Sequence, residues 1–455
     1  MRARPPSRDA REGLVVIIDS PTLAISRSSM AWQEMNGYRH IRQTGFRRYW
    51  RLNPPHMHTS PVPPRPARSF FLSVVLLCTA AFSAAAPADV TQPTADAAAS
   101  TPGSIPTYHA RFGRPRPIIA IVGENSGTEL TDFVIPFGVL VQSGVADVIT
   151  VATQPGVLRM RPALVLQPET TIQQFDVRFP DGADYVIVPA VMKYNDPTLL
   201  AWVKSQGLKG STLVSICDGA VVVAGTGLMD GHRATAHWAS ERARRKLFPG
   251  VRWVDNVRYL ADGKIVSTVG ISAALPASLA LVEAIAGRDR TLALAAELGV
   301  PDWSTAHQTA PFRPHFGTNL RALIAANYTN GWFHSTEMIG LPIAAGVDEI
   351  ALAVTADAYS RTGRSMIHVM TATTEPVRTR HGLVVMPDRL SGGTHELARV
   401  LPELDATPSG QWLAKSIEGI ARLYGRTTAY GVALDFEYPM IPPSSRAKVR
   451  QVSAK

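Results

Sequence analysis

Cysteine is almost missing from this chain: 455 residues hold two, Cys78 and Cys217. Cys78 falls in a leader expected to be removed, so the mature chain has one thiol and no intramolecular disulfide. No Cys-x-x-Cys and no His-Glu-x-x-His spacing occurs, and no metal site is expected. A glycine-rich phosphate loop is missing too; Gly225-Thr226-Gly227 reads as a helix end, and no cofactor is implied. Lysine is absent from the first 68 residues, which carry 12 Arg against 4 Asp or Glu, a net of +8 out of the chain's formal +10. The rest of the chain is close to neutral, so a basic folded face for nucleic acid is not expected.

What is present begins with that leader. Arg65 and Arg68 precede an apolar run from Phe70 to Phe82, and Ser83-Ala84-Ala85-Ala86-Pro87-Ala88-Asp89 follows it. Positive, apolar and small-residue regions in that order describe a secretory signal, with Met57 as a sensible start and cleavage after Ala88. The apolar core is shorter than the roughly 20 residues that span a bilayer. The expected location is therefore exported, periplasmic or secreted; the alternative is a membrane anchor through residues 69–88 left uncleaved. Residues 1–56 read as a disordered or overextended N-terminus, 57–88 as the signal peptide, and 89–116 as an Ala/Pro/Thr/Ser-rich linker.

Order begins at Pro117-Ile118-Ile119-Ala120-Ile121-Val122-Gly123, an apolar run typical of a buried parallel strand. A helix is predicted from Leu130 to Ser143, closed by Gly144, then a strand at 147–152 and a hairpin-like excursion over 157–168. Further strands are expected at 185–189 and 212–216, with helices over 197–206, 220–227 and 270–287. Strands alternating with helices predict an α/β fold with a mainly parallel sheet covered on both faces.

An internal repeat is also legible. Gly144 to Pro168 aligns without a gap to Gly363 to Pro387, with Arg159, Arg161, Leu164, Val165 and Pro168 matching Arg378, Arg380, Leu383, Val384 and Pro387. Asp132 falls opposite Asp348 when three extra residues are allowed, and Gly410 to Gly425 resembles the closing helix near Ser278–Gly287. Residues 341–440 are read as a partial second copy that lacks everything around Cys217, after a connecting segment 301–340 and before a tail 441–455.

Ligands of open α/β sheets lie beyond the carboxyl ends of the strands. Cys217 stands at such an end, in Ser215-Ile216-Cys217-Asp218-Gly219-Ala220, and Gly219 is expected to permit the tight turn. The N-terminus of the helix that follows favours a thiolate, which predicts a pKa below the ordinary value of about 8.5. The N–H groups of Asp218 and Gly219 are candidate oxyanion donors. The Asp218 side chain is expected to point to solvent, where its charge is screened.

That elbow, followed by Gly227-Leu228-Met229-Asp230-Gly231-His232-Arg233-Ala234-Thr235-Ala236-His237-Trp238, resembles the ThiJ/PfpI family of the glutamine amidotransferase-like superfamily. Within it, the chain is most similar to the branch that forms the sensing half of GlxA-type, AraC-like regulators. The resemblance covers about Pro117 to Gly299, a domain placed at 117–300. It implies a flavodoxin-like three-layer sandwich, a small-molecule ligand and, commonly, a homodimer. It also implies roles. Asp132, before Phe133-Val134-Ile135-Pro136, matches the acid that hydrogen-bonds the cysteine; a helix cap is the alternative, and Glu129 is the runner-up acid. His237 matches a histidine near the cysteine, as acid, base or structural residue.

Two positions depart from the family pattern. Ala190 stands where relatives carry glycine and remains a candidate oxyanion donor, although a positive φ there is costly. Asp218 replaces a small neutral residue, and its charge opposes the thiolate. No His-x-Glu pair supports a glutaminase triad. Two functions follow: a cysteine-dependent hydrolase or lyase acting on a small molecule, or a sensor that binds one without turnover. A transcription regulator ranks third, because the region after Trp303 does not read as helix-turn-helix units.

Overall fold

All six residues of Ile118–Gly123 are buried, and they form β1 of a seven-stranded sheet. The computed structural model describes residues 104–390 and 397–443, all within one compact unit, Thr94–Lys455. The readings for 1–56, for the signal segment 57–88 and for the start of the linker lie outside the described residues. Among the described residues no helix is long and apolar enough to cross a membrane.

After β1 come the short β2 (Thr128–Glu129) and α1 (Leu130–Ser143), which ends on Gly144 in the left-handed region at φ 68°. Twelve of the residues of α1 are buried, because it is packed on both sides. Leu130, Phe133 and Leu140 are fully buried, worth about 1.5–3 kcal/mol each. Then follow β3 (Asp147–Ala152), β4 (Leu158–Arg161), β5 (Val165–Gln167), β6 (Thr170–Thr171) and α2 (Ile172–Arg178). The Thr171 hydroxyl and the Gln174 side chain close a capping box at the start of α2. Next are β7 (Tyr185–Val188), α3 (Pro197–Leu208), β8 (Thr212–Ser215) and α4 (Gly219–Gly225).

The short pair β9 (Arg233–Ala234) and β10 (Arg252–Trp253) brackets α5 (Glu241–Leu247). The domain closes with β11 (Tyr259–Asp262), β12 (Ile265–Thr268), α6 (Ala274–Ala286) and α7 (Arg288–Leu298). Strand order is β11-β12-β8-β7-β1-β3-β6, and every neighbouring pair is parallel except β11 with β12. Two apolar clusters lie on its opposite faces: Ile119 and Ile121 of β1 belong to one, Ala120 and Val122 to the other. The expected three-layer α/β arrangement with a mainly parallel sheet is the observed one.

Helical residues 320–333 lead to β13 (Glu337–Pro342), which starts ahead of residue 341, where the second region was expected to begin. It continues through α8 (Glu349–Ser360), β14 (Ser365–Thr371), β15 (Val377–Arg378), β16 (Val384–Met386), β17 (Arg389–Leu390), β18 (Arg399–Val400), α9 (Trp412–Tyr424) and α10 (Arg426–Asp435). A second, wholly parallel sheet runs β17-β14-β13-β18. The C-terminal region meets the first domain at several places. β16 pairs antiparallel with β5. α8 lies close on α1, where a Cβ at Gly138 would come within 2.7 Å of Ile350.

Candidate active site

β8 ends at Ser215, and the chain turns at once. Ile216 N–H donates to the Val188 carbonyl at 3.0 Å, still in the ladder, but Cys217 adopts φ 55°. A non-glycine residue there stores about 1–3 kcal/mol of strain, which surrounding contacts must hold. The Cys217 N–H donates to Thr268 Oγ1 at 3.1 Å, and the Gly219 N–H to the Ile216 carbonyl at 2.8 Å. Gly219 is needed for a different reason from the one expected. It does not take the left-handed turn; a Cβ on it would lie 1.9 Å from the Val188 carbonyl oxygen. Its N–H is committed to Ile216, so Gly219 is not an oxyanion donor.

Asp132 sits in the first turn of α1 and is fully buried. It does not cap the helix: Glu129 holds that position, with no side-chain cap bond. Oδ2 of Asp132 accepts the Ala190 N–H at 3.1 Å, while Oδ1 is buried with no partner. Burial pushes this carboxyl well above the usual range, and the neighbouring Glu129 charge adds to the effect. Both influences favour the protonated carboxyl, which carries an unused hydrogen-bonding atom. Ala190 is corrected by the same contact. Its N–H serves Asp132 rather than an oxyanion, and its φ is not positive.

Two expectations about charge are overturned. Cys217 is 7% exposed, and burial raises its thiol well above the ordinary value, with Asp132, Asp218 and Glu129 adding to the rise. The Asp218 N–H bonds the sulfur and works in the opposite direction, but α4 has only seven residues and does not overcome desolvation. Asp218 itself is half-buried and turned inward. Its carboxylate accepts the Ser240 hydroxyl at 2.5 Å, and desolvation raises its own pKa.

Glu129 is not free to serve as a second acid, because it is ion-paired with Arg361 of the C-terminal region. His237 is engaged at both ring nitrogens: Nδ1 accepts the Ala239 N–H at 3.3 Å, and Nε2 lies 3.1 Å from the Asp435 carbonyl. Those contacts make Nε2 the protonated nitrogen and give the ring a structural role, opening the turn Trp238–Ser240.

Sequence reasoning missed three participants. Thr268 anchors the Cys217 N–H. Glu437, buried with φ 52°, accepts Gly270 N–H and Trp238 N–H through Oε1 and meets His307 Nε2 at 2.7 Å through Oε2. Arg361 bonds Asp357 through Nε at 2.5 Å, besides its pair with Glu129. Only Arg361 had a local signal, the i,i+4 spacing from Asp357. The others come from distant segments. Among the described residues no group of three His, Cys, Asp or Glu side chains is placed to hold a metal.

The chain is 29% identical over 131 residues to the isonitrile hydratase of Pseudomonas putida, covering 28% of this chain and 54% of that protein. It is 28% identical over 130 residues to the HTH-type transcriptional regulator CdhR of Pseudomonas aeruginosa, covering 28% of this chain and 38% of the regulator. The match thus spans about half of the first relative and less of the second. Among solved structures, oxidised DJ-1 of Toxoplasma gondii shares 21% identity, 41% coverage of this chain, 100% of its own length and a TM-score of 0.36. A THiJ/PfpI family protein of Pseudomonas syringae shares 20% identity, 45% coverage of this chain, 78% of its own and a TM-score of 0.37. The DJ-1/PfpI family model matches residues 118–284, the span that holds the elbow and its acid. Residues 118–284 of this chain are a DJ-1/PfpI (ThiJ/PfpI) family domain.

Proposed function

We propose that Cys217 and Asp132 act together on a small electrophile by proton-coupled thiol addition, with an isonitrile as the first substrate to test. The observation that carries this reading is a buried Asp132 whose Oδ1 has no partner and whose charge reaches the thiol of Cys217, the residue held at φ 55°. A neutral thiol and a neutral carboxyl suit a substrate whose carbon must gain a proton as sulfur attacks. In the first step the Cys217 sulfur bonds the terminal isonitrile carbon, Asp132 gives that carbon a proton, and the thiol proton returns to Asp132. The product is a thioimidate. Water then adds to the same carbon, the C–S bond breaks, the sulfur regains a proton, and an N-substituted formamide leaves. Overall one water is added and nothing is oxidised. The similarity to an isonitrile hydratase supports this substrate class.

A hydrolase working through a tetrahedral oxyanion is less well supported, because the Ala190 and Gly219 N–H groups are already taken. The second reading is a ligand sensor without turnover, favoured by the burial of Cys217 and by similarity to a regulator. Export of the mature chain belongs to the same proposal and rests on Arg65, Arg68 and the small residues before Asp89. The test is formamide production from cyclohexyl isocyanide, followed by NMR, with Cys217→Ser and Asp132→Asn as controls. Turnover lost in both variants supports the enzyme. Ligand-induced thermal stabilisation without product leaves the sensor, and neither turnover nor binding sinks both.

A further inference from the structure

The contacts between the C-terminal region and the first domain obey a two-fold relation. In β5·β16, Val384 faces Gln167, Val385 faces Leu166 and Met386 faces Val165. In the gapless alignment Val165, Leu166 and Gln167 correspond to Val384, Val385 and Met386. Val165 therefore faces the counterpart of Gln167, Gln167 faces the counterpart of Val165, and Leu166 faces its own counterpart, Val385, at the centre. That is the signature of an isologous interface, formed here within one chain. α1 and α8 cross in the same sense: Thr131, in the first turn of α1, donates to Asp357 in the last turn of α8 at 2.9 Å.

The correspondence extends into the elements. β3·β6 pairs Val151 with Thr170, and β14·β17 pairs Met370 with Arg389. The α6–α7 junction at Gly287 and the α9–α10 junction at Gly425 both have φ 84°. The counterpart of Asp132 has changed its work, since Asp348 caps α8 by accepting the Ala351 N–H at 2.9 Å.

We propose that the C-terminal region stands where a second subunit would, and that Arg361, which it carries, is a positioning residue for the Cys217–Asp132 pair. The side chain of Arg361 is 21% exposed and lies among Glu129, Asp357 and Asp435, with its guanidinium 5.5 Å from the Phe436 ring centre. Asp132 is faced by Glu129, Asp357 and Arg361, and Cys217 by Asp132, Asp218 and Glu129. Arg361 is the cation in that set. It binds Glu129 as an ion, and so leaves Asp132 as the acid that carries the exchangeable proton. This rests on the proton-coupled reading of Cys217 and Asp132.

The test uses the full chain. Sedimentation velocity at micromolar concentration is expected to give a monomer. A Leu166→Cys/Val385→Cys variant is expected to cross-link within the chain; cross-links between chains would overturn the subunit-replacing role. Cys217 alkylation by iodoacetamide is then profiled against pH. Arg361→Gln should move the midpoint alkaline by about one unit, and Arg361→Lys should restore most of it. An unmoved midpoint in a folded Arg361→Gln, or equal displacement in both variants, overturns the positioning role. Should Cys217 never alkylate in the native protein, the thiol reading fails separately. Arg361 is then judged by carbon NMR of the Asp132 titration, assigned with Asp132→Asn, which Arg361→Gln must shift upward and Arg361→Lys must not.

Discussion

The backbone N–H of Ala190 donates to Oδ2 of Asp132 at 3.1 Å, so the loop after β7 holds the site's acid and not a substrate oxygen. Asp132 is then fixed at one oxygen and open at the other. Replacing it with asparagine keeps the Ala190 contact and removes the transferable proton. Asp132→Asn is expected to lower turnover about a hundredfold or more, with Cys217 still present and the fold intact.

The same substitution should change the pH dependence of stability. Burial raises the Asp132 pKa in the folded state above the usual 3.8, so the folded protein binds a proton that the unfolded chain releases. Stability from this group is full below that value and is lost as pH rises toward the folded pKa. Asp132→Asn lacks the loss. Urea unfolding should therefore find the variant more stable than wild type at pH 8, with the advantage shrinking toward pH 4. An advantage that grows on acidification would mean that Asp132 is ionised in the folded protein.

Cys217 should alkylate slowly at neutral pH. Its thiol is raised by burial first and by Asp132, Asp218 and Glu129 after that, so the thiolate fraction at pH 7 is below that of free cysteine. The native rate is expected to climb steeply only on the alkaline side. Asp218→Asn removes one of the opposing charges and should accelerate labelling. Native labelling faster than free cysteine at pH 7 would show that the Asp218 N–H and the end of α4 outweigh desolvation.

Gly219→Ala tests the elbow itself. The added methyl would meet the Val188 carbonyl at 1.9 Å, a backbone atom that also accepts the Ile216 N–H. Neither can move without breaking the β7·β8 ladder. The variant is expected to lose about 2 kcal/mol or more, read as a lowered thermal midpoint, and to lose Cys217 chemistry with it.

Much of this site could be read from residue types in order. The run Ile118–Gly123 announces a buried strand because every position is apolar or small. The elbow is legible because a strand, a cysteine and a glycine adjoin a helix. What local order could not show is which residue takes the strained φ. The glycine is reserved for closeness to Val188, and the cysteine turns. Nor could it show that Asp218 turns inward, to Ser240 on the turn before α5. Solvent was the simplest assumption for an aspartate after an elbow, and a packed third segment defeated it. The thiol's pKa is raised by burial first, and desolvation depends on what covers the site.

Glu437 offers the sharpest check on that cover. It follows α10 at φ 52°, a conformation that disfavours a side chain with a Cβ, yet its carboxylate is buried. Four contacts hold it there: Gly270 N–H, Trp238 N–H and His307 on the carboxylate, and the Ser272 hydroxyl on its carbonyl. Gly270 also has to be glycine, because a Cβ would come within 2.7 Å of the Glu437 side chain. Glu437→Ala leaves the Gly270 and Trp238 N–H groups and His307 without their acceptor, and should cost about 3 kcal/mol. Glu437→Gln retains an acceptor for the N–H groups and should cost less. Since Gly270 lies two residues beyond Thr268, which anchors the Cys217 N–H, loosening this clamp should also expose the thiol. The alanine variant is therefore expected to melt lower and to alkylate faster than wild type under native conditions. An alanine variant as stable as wild type would show that the C-terminal turn rests on the first domain without holding it shut.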